Sequence, residues 1–293
     1  MIDLFNIPNS NQDIKIFYAA GTTWQTWTKP RKCSYVWIMC IGGGAGGSGG
    51  ATGGGSTVLQ NGGGSGGVNR ALFQSNLLSD TLFVQVGAGG AGGVAGASGS
   101  NGARSFVSFY PNNTINQNLV CTSGNSPAVG GNFNGLASAG ETIATFANTS
   151  FLSSSNFLAV AGVNAPVLSS APVTNVTPLS SQITSPGACG GSITPSLVST
   201  AGGNVLATSI SPLISGGTPG ITGVDGGDGY TSWKPLFGVG GAGGAAATSG
   251  QVGSNGGNGG IGCGGGAAGQ VNGGPTAGRG GRGGDGLVII ISF

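Results

Sequence analysis

The 293-residue sequence contains no histidine, and charged residues make up only 5% of it. Because histidine is the commonest general base and metal ligand near neutral pH, its absence removes the usual centre of acid–base catalysis. Glu141 is the only glutamate, and Asp225 and Asp228 are the one pair of closely spaced carboxylates. These two carboxylates could contribute to a Ca²⁺ site, but such a site needs about six or more oxygen ligands. We therefore interpret the two Asp-Gly sequences as turns in preference to a Ca²⁺ site. The sequence therefore predicts a protein that is not an enzyme, with no metal and no cofactor.

The formal net charge is only +2. Such a weak charge offers no electrostatic attraction to nucleic acid or to an anionic membrane. The stretch GRGGRGGDG resembles the RGG segments of RNA-binding proteins, but Asp285 balances its two arginines, and we expect these residues to form a solvated face. No apolar run approaches the ~20 residues that span a bilayer. We predict neither nucleic-acid binding nor membrane insertion.

The N-terminal stretch MIDLFNIPNSNQDIKIF lacks the basic region and apolar core of a secretory signal. The chain has five cysteines, an odd number. An odd count without a signal sequence is typical of reduced thiols in a chain that folds inside a cell. We therefore predict cytoplasmic synthesis and free thiols rather than disulfides.

Glycine is what the chain has in abundance, at 66 residues, and much of it lies in runs with a period of three. A flexible linker does not explain these runs, because disorder is typical of low hydrophobicity with high net charge and the chain has neither. In five separate runs, single residues alternate with glycine pairs. These single residues are Ala45, Ser48 and Ala51; Ala88, Ala91 and Val94; Val239, Ala242 and Ala245; Asn255, Asn258 and Ile261; and Arg279, Arg282 and Asp285.

A period of three matches the polyproline II helix, which has three residues per turn and no internal hydrogen bonds. Its N–H and C=O groups must therefore bond to neighbouring helices. We predict a mostly irregular and β fold, in which a bundle of packed polyglycine II helices is flanked by short β-strands with almost no α-helix. Alanine and valine between the glycine pairs should face the interior, and asparagine and arginine the solvent. The predicted structural glycines are Gly43, Gly46, Gly49, Gly89, Gly92, Gly240, Gly243, Gly256, Gly259, Gly280 and Gly283.

A dinucleotide-binding loop is the alternative interpretation of one run. VGAGGAG places G-x-G-x-x-G at Gly87, Gly89 and Gly92, directly after the strand-like LFVQV. That fingerprint also requires a following helix and an acidic residue about 20 positions later. The sequence after Gly92 provides neither, so the run is assigned to the bundle.

The chain divides by composition into a short arm and one large domain. Residues 1–14 form the predicted N-terminal arm, and residues 15–293 form the glycine-rich domain. Within this domain, residues 110–232 are rich in Ser, Thr and Asn and carry only scattered glycine pairs. We interpret them as a long insertion between blocks of glycine helices.

Several blocks resemble the glycine-rich domain of bacteriophage tail-fibre proteins. IFYAAGTTWQTWTKPRKCSYVWIMCIGGGAGGSGG resembles the start of that domain, and LFVQVGAGGAGG, NGARSFVSF and GRGGRGGDGLVIIISF resemble its later blocks. The resemblance implies a fibre-tip or receptor-binding adhesin on the virion surface, synthesised in the host cytoplasm. It implies recognition by loops that join the glycine helices. The implied partners are other virion proteins and a host cell-surface receptor, protein or glycan, and an oligomer is possible.

The insertion holds the predicted recognition surface. In TFANTSFLSSSNFLAV, phenylalanines stand among Ser, Thr and Asn, a mixture typical of adaptable binding loops. The alternative is that these aromatics fill a second small core or a subunit interface. At the level of function, the alternatives are a capsid or tail decoration protein without its own receptor and, more remotely, an ice-binding protein. The candidate receptor-binding residues are Tyr110, Phe146, Phe151, Asn156, Phe157, Tyr230 and Trp233.

Overall fold

The computed structural model consists of antiparallel β-sheets from which glycine-rich segments continue as a bundle. Strand residues 35–41, for example, lead directly into the glycine run that starts at Gly42. The structure describes residues 12–53, 60–114, 118–122, 157–166, 175–179, 182–220, 223–248, 252–273 and 276–293.

The described residues contain eleven strands and a single turn of 3-10 helix at Ser75–Leu77, which confirms the prediction of almost no helix. No helix in this part of the chain has the length and apolarity to cross a bilayer. The strands are β1 (Asp13–Phe17), β2 (Gln25–Thr28), β3 (Tyr35–Ile41), β4 (Val68–Gln74), β5 (Thr81–Gln85), β6 (Phe106–Ser108), β7 (Val120–Cys121), β8 (Phe157–Val160), β9 (Thr231–Trp233), β10 (Leu236–Gly238) and β11 (Leu287–Ser292).

Two sheets pack against each other over one hydrophobic core. The larger sheet has the order β1-β11-β3-β4-β8 and the smaller the order β2-β5-β6-β7. Because side chains alternate along a strand, Val288 and Ile290 of β11 enter this core. Leu287, Ile289 and Ile291 of the same strand enter a second cluster on the opposite face. β11 is buried on both faces, and this explains its unbroken apolar run LVIII.

β1 begins at Asp13, inside the arm predicted for residues 1–14. It pairs with β11 in antiparallel register from Asp13 opposite Ser292 to Phe17 opposite Val288. The arm therefore contributes its last two residues to the larger sheet, and residues 1–11 lie outside the described part of the chain.

The segment 42–51 lies at the centre of the bundle and shows the hydrogen-bond pattern of a polyglycine II helix. Its successive N–H groups donate in repeating order to three different neighbours, so residues three apart bond to the same neighbour. This order requires one turn every three residues. The three accepting neighbours are residues 61–67, 97–103 and 278–284.

The carbonyl groups of the same segment repeat the pattern. Those at positions 44, 47 and 50 accept from segment 90–96, and those at 45, 48 and 51 accept from segment 265–271. The carbonyls at positions 43 and 46 face the Cα atoms of Gly102 and Gly99, the arrangement of weak Cα–H···O contacts. Five segments thus surround the central one, and the predicted bundle of packed polyglycine II helices is confirmed.

The glycines of the bundle are required by the close approach of these segments. A Cβ atom added to any of the eleven predicted structural glycines would lie less than 3.0 Å from a backbone carbonyl oxygen of a neighbouring segment. At Gly46 that oxygen belongs to Ala91, and at Gly243 it belongs to Cys189. A side chain at these positions would push apart two segments that are bonded to each other through their backbones.

Two predicted facings of the residues between glycine pairs are correct. Val239, Ala242 and Ala245 are fully buried. The asparagines and arginines of the two C-terminal runs are exposed. These side chains therefore follow the predicted division between interior and solvent.

The predicted interior facing is wrong for the run that contains Ala88, Ala91 and Val94. Ala91 is exposed, Ala88 is half-buried, and Val94 is 53% exposed, although alanine and valine were expected to face the interior. Their segment lies at the border of the bundle and is bonded to segments 42–51, 97–103 and 280–286. No further segment of the described chain covers the side that carries these three side chains, so it faces solvent, whichever residue occupies it.

The second half of the predicted insertion belongs to the bundle. Gly187 N–H donates to Gly63, Gly217 N–H to Gly243, and Gly226 N–H to Asn255. Residues 182–220 and 223–231 thus join the glycine helices, although the sequence analysis assigned them to an insertion between such helices. The three-residue period is hidden here because two adjacent positions, Ala188 and Cys189, are not glycine, although both residues are buried in the bundle.

All five cysteines are free thiols, as predicted. Cys33 is half-buried and the other four are buried. Burial raises the pKa of Cys189 and of Cys263 to about 12, because a thiolate would be desolvated inside the bundle.

These two thiols should make the protein less stable above pH 9. In the unfolded chain they ionise near their ordinary pKa of 9.0, whereas in the folded chain they stay protonated up to about 12. The unfolded state therefore loses protons first, and the free energy of unfolding falls as the pH rises between these values, by at most about 1.4 kcal/mol per pH unit for each thiol. The free energy of unfolding, measured with urea from pH 8 to 11, should fall less steeply in a Cys189→Ala/Cys263→Ala variant than in the unmodified protein. Equal slopes in the two proteins would contradict the raised pKa values of these thiols.

A single methyl group at a bundle glycine should prevent folding. The Cβ of Gly90→Ala would meet the Ser100 carbonyl oxygen and would lie 2.8 Å from Gly46 N. We expect a loss of about 3 kcal/mol or more, measured by urea unfolding or seen as a loss of soluble protein. Ala91→Ser, on the exposed side of the same helix, is the matched control and should change stability by less than about 0.5 kcal/mol. Equal stability of the two variants would refute the packing model.

Candidate functional site

One side of the bundle is a regular polar surface formed by three parallel segments, 223–231, 252–262 and 276–286. Backbone bonds join them in register: Gly226 N–H donates to Asn255, and Gly256 N–H donates to Arg279. The residues between the glycine pairs point outward from all three segments. We call this surface the polar face; its members are Asp225, Asp228, Asn255, Asn258, Arg279, Arg282 and Asp285.

The side chains of the polar face are arranged in rows across the segments. In the first row, Asn255 N–H donates to Asp225 Oδ1 at 2.6 Å, and Arg279 N–H donates to Asn255 Oδ1 at 2.8 Å. The Asn255 amide also donates to Asp225 Oδ2 at 3.2 Å. Asp225 and Asn255 thus each accept a backbone N–H of the next segment.

The second row repeats the first, one helical turn away. Asn258 N–H donates to Asp228 Oδ1 at 2.6 Å, and Arg282 N–H donates to Asn258 Oδ1 at 2.9 Å. A rise of ~3.1 Å per residue places the rows about 9 Å apart. The repeat of the helix is therefore displayed on the surface as a repeat of side chains.

A third row completes the polar face. Ile261 N–H donates to Thr231 Oγ1 at 2.8 Å. Asp285 Oδ1 accepts the N–H of Gly89 at 2.8 Å and the Arg282 guanidinium. This row extends the hydrogen bonding from the polar face to the segment that carries Gly89.

The rows follow from the position of these segments at the surface. Inside the bundle, every third N–H finds a carbonyl of the next helix, but an outer helix has no further helix on its outer side. An N–H in that direction can be satisfied by a side-chain oxygen of the adjacent segment. Asp, Asn and Thr are short side chains with suitable acceptors, so their presence at outward positions has a structural cause.

The rows also revise the interpretation of Asp225 and Asp228. The two aspartates lie in an extended segment and not in the Asp-Gly turns that the sequence predicts. Their carboxylates accept hydrogen bonds from Asn255 and Asn258. In the part of the chain that the structure describes, no three His, Cys, Asp or Glu side chains are grouped so that they could hold a metal ion.

The G-x-G-x-x-G stretch is part of the bundle. The N–H of Gly89 bonds to Asp285, and the adjacent Gly90 donates to Gly44. The carbonyls of Gly280 and Gly283 occupy the space beside Gly92 and Gly89, where a pyrophosphate would have to approach. This stretch has no room for a dinucleotide.

The predicted receptor-binding residues are not grouped in the described structure. Tyr110 follows β6 and is 52% exposed. Tyr230 is half-buried, with its ring edge-on to Phe237 at 5.9 Å between ring centroids. Trp233, in β9, packs on the second core cluster, beneath the larger sheet. Tyr230 and Trp233 therefore help to fill cores. Phe157 is the first residue of β8. The other candidates, Phe146, Phe151 and Asn156, lie outside the described residues.

The 123–156 segment leaves and re-enters the described fold at neighbouring positions. It follows β7, whose last residue Cys121 accepts a hydrogen bond from the Asn69 side chain through its carbonyl. It ends at β8, in which Ala159 is the register partner of the same Asn69. Both attachment points therefore meet at one residue of β4, in the larger sheet.

Exposed aromatic side chains lie near the sheets. Among the described residues they are Tyr18, Tyr35, Phe109 and Tyr110, each within or just beyond a strand. At the other end of the bundle, isolated bridges join Thr52 to Val271 and Val271 to Ala247. The large exposed side chains near that end, such as those of Val94 and Val252, are aliphatic.

The chain belongs to the glycine-rich domain family, whose model matches residues 19–292. The match includes strands β2 to β11, the bundle and the predicted insertion. No curated protein matches the sequence.

The rows of the polar face should contribute measurably to stability. Asn255→Ala removes the acceptor for Arg279 N–H and the donor to Asp225. We expect a loss of about 0.5–1.5 kcal/mol, because water replaces part of these exposed bonds. Arg279→Ala, in the same row, keeps both backbone bonds and should stay within about 0.5 kcal/mol. Urea unfolding of the two variants tests the difference, and an inert Asn255→Ala would show that the rows are not stabilising.

Proposed function

We propose that this protein is a non-enzymatic phage virion protein, a tail-fibre tip or receptor-binding adhesin, that recognises a host cell-surface receptor. The proposal is supported by membership of the glycine-rich domain family and by the resemblance of the strand-to-glycine junctions to those of tail-fibre proteins. In this role the protein lies at the virion surface and has other virion proteins as partners.

The observation that carries the proposal is the convergence of Cys121 and Ala159 on Asn69. A segment whose two ends meet on one scaffold residue can vary in sequence and length without changing the core. The 123–156 segment combines this attachment with phenylalanines among Ser, Thr and Asn, a composition suited to recognition. We therefore assign the receptor contact to this segment, with Phe146, Phe151 and Asn156 as its candidate anchors.

The scaffold fits such a role because its shape does not depend on the recognition segment. The bundle is held by backbone hydrogen bonds between segments on every side. Charged residues make up only 5% of the chain, and all five cysteines are free thiols, so no disulfide holds this fold together. Such a scaffold can present a variable segment in a constant position.

Replacing residues 123–156 with a linker of about six Gly and Ser residues tests the proposal. Six residues reach about 20 Å, enough to join Thr122 to Phe157 if both lie beside β4. We expect an unchanged urea unfolding transition and the loss of binding of the fluorescently labelled protein to host cells. Replacement of residues 167–174, another stretch of the predicted insertion, by Gly and Ser is the control and should preserve binding.

Two results would count against the proposal. Full host-cell binding by the linker variant would exclude the 123–156 segment as the receptor contact. Absence of cell binding by the unmodified protein, together with its incorporation into virions, would favour the capsid or tail decoration role instead.

A further inference from the structure

We propose that the depression between Tyr18 and the Arg282–Asp285 pair binds a neutral hexopyranose unit of a glycan. The depression lies where the polar face meets the larger sheet. It is lined by Tyr18, Ala19, Asn258, Ile261, Arg282 and Asp285 and by the glycine backbone beside them.

Tyr18 provides an aromatic wall. Its side chain is 55% exposed, although it directly follows β1. Its backbone is held by Gln25, whose side-chain amide donates to the Tyr18 carbonyl at 2.8 Å. An exposed ring on a fixed backbone loses little conformational entropy when it stacks on a ligand, and the C–H face of a pyranose is an apolar surface suited to such stacking.

Arg282 and Asp285 provide the polar groups opposite. The guanidinium donates to Asp285 Oδ1 through Nη2. Further donors of the planar guanidinium and the second carboxylate oxygen are at the surface, since the two side chains are 54% and 38% exposed. Adjacent sugar hydroxyls match this pair, because one hydroxyl can accept from a guanidinium while the next donates to a carboxylate.

The floor of the depression is rigid and partly apolar. Ile261 and Ala19 contribute apolar surface, and Gly259, Gly283 and Gly284 line the floor with their backbone. Their segments are fixed by bonds such as that from Gly259 N–H to Arg282 at 2.8 Å. Polar groups at one side and apolar groups at the other match a sugar ring, which carries hydroxyls at its rim and C–H groups on its face.

Charge selects a neutral sugar. Arg282 and Asp285 are the only charged residues of the lining, and they form an ion pair. The lining therefore has no net charge to attract a phosphate, a sulfate or a carboxylated sugar. This site is separate from the 123–156 segment and goes beyond the proposed function, so either can fail without the other.

Saturation-transfer NMR of the full chain tests the site. The probes are the methyl glycosides of glucose, galactose, mannose and N-acetylglucosamine, with glucuronic acid and N-acetylneuraminic acid as acidic comparisons, all at roughly millimolar concentration. We expect saturation of at least one neutral glycoside. Tyr18→Ala should weaken its binding about tenfold or more, Tyr18→Phe should retain it, and Arg282→Ala should weaken it similarly.

Arg279→Ala is the matched control, because Arg279 lies on the polar face one turn away and does not line the depression. It should change the affinity by less than about twofold. Urea unfolding of each variant verifies that the fold is intact. The proposal is overturned if no neutral glycoside is saturated, if only the acidic sugars bind, or if Tyr18→Ala binds as well as the unmodified protein.

Discussion

The backbone hydrogen bond between neighbouring polyglycine II helices is the interaction on which the rest of this structure depends. These helices have no internal hydrogen bonds, so each gains stability only through its neighbours. The bonds form only where the segments approach to backbone contact, and a Cβ at a facing position would collide with a carbonyl oxygen. The large conformational entropy that glycine loses on ordering is offset by many such bonds made on several sides of each segment.

The same requirement determines the chemistry of the surface. An outer helix lacks a neighbour on one side, and on the polar face side-chain oxygens of Asp225, Asn255 and Thr231 accept the N–H groups of the adjacent segments. The side chains displayed to solvent are therefore also part of the scaffold. A ligand site such as the depression beside Arg282 can use their outward atoms, because the inward hydrogen bonds already hold them in position.

The sheets have a different role from the bundle. They contain the larger apolar side chains and the conventional core, with Val288 and Ile290 on one face of β11 and Ile289 on the other. Paired strands also align the glycine segments that adjoin them. The pairing of β3 with β4, for example, continues into the bundle as the hydrogen bond from Gly42 N–H to the Gly67 carbonyl.

The sequence by itself determined that the glycine runs form polyglycine II helices. The three-residue period in runs such as 42–51 matches the three residues per turn of that helix, whose backbone groups bond to neighbouring helices. It also determined that short β-strands flank the bundle and that the thiols are free. It could not show that residues 182–220 and 223–231 join the bundle, since one glycine at each close contact is enough and no period results. Nor could it show which side of a helix faces solvent: Ala91 and Ala242 occupy equivalent positions in their runs, yet one is exposed and the other buried. Only the tertiary structure decided this, because the facing of a residue depends on how many neighbours its helix has, and that number is set by segments distant in the chain.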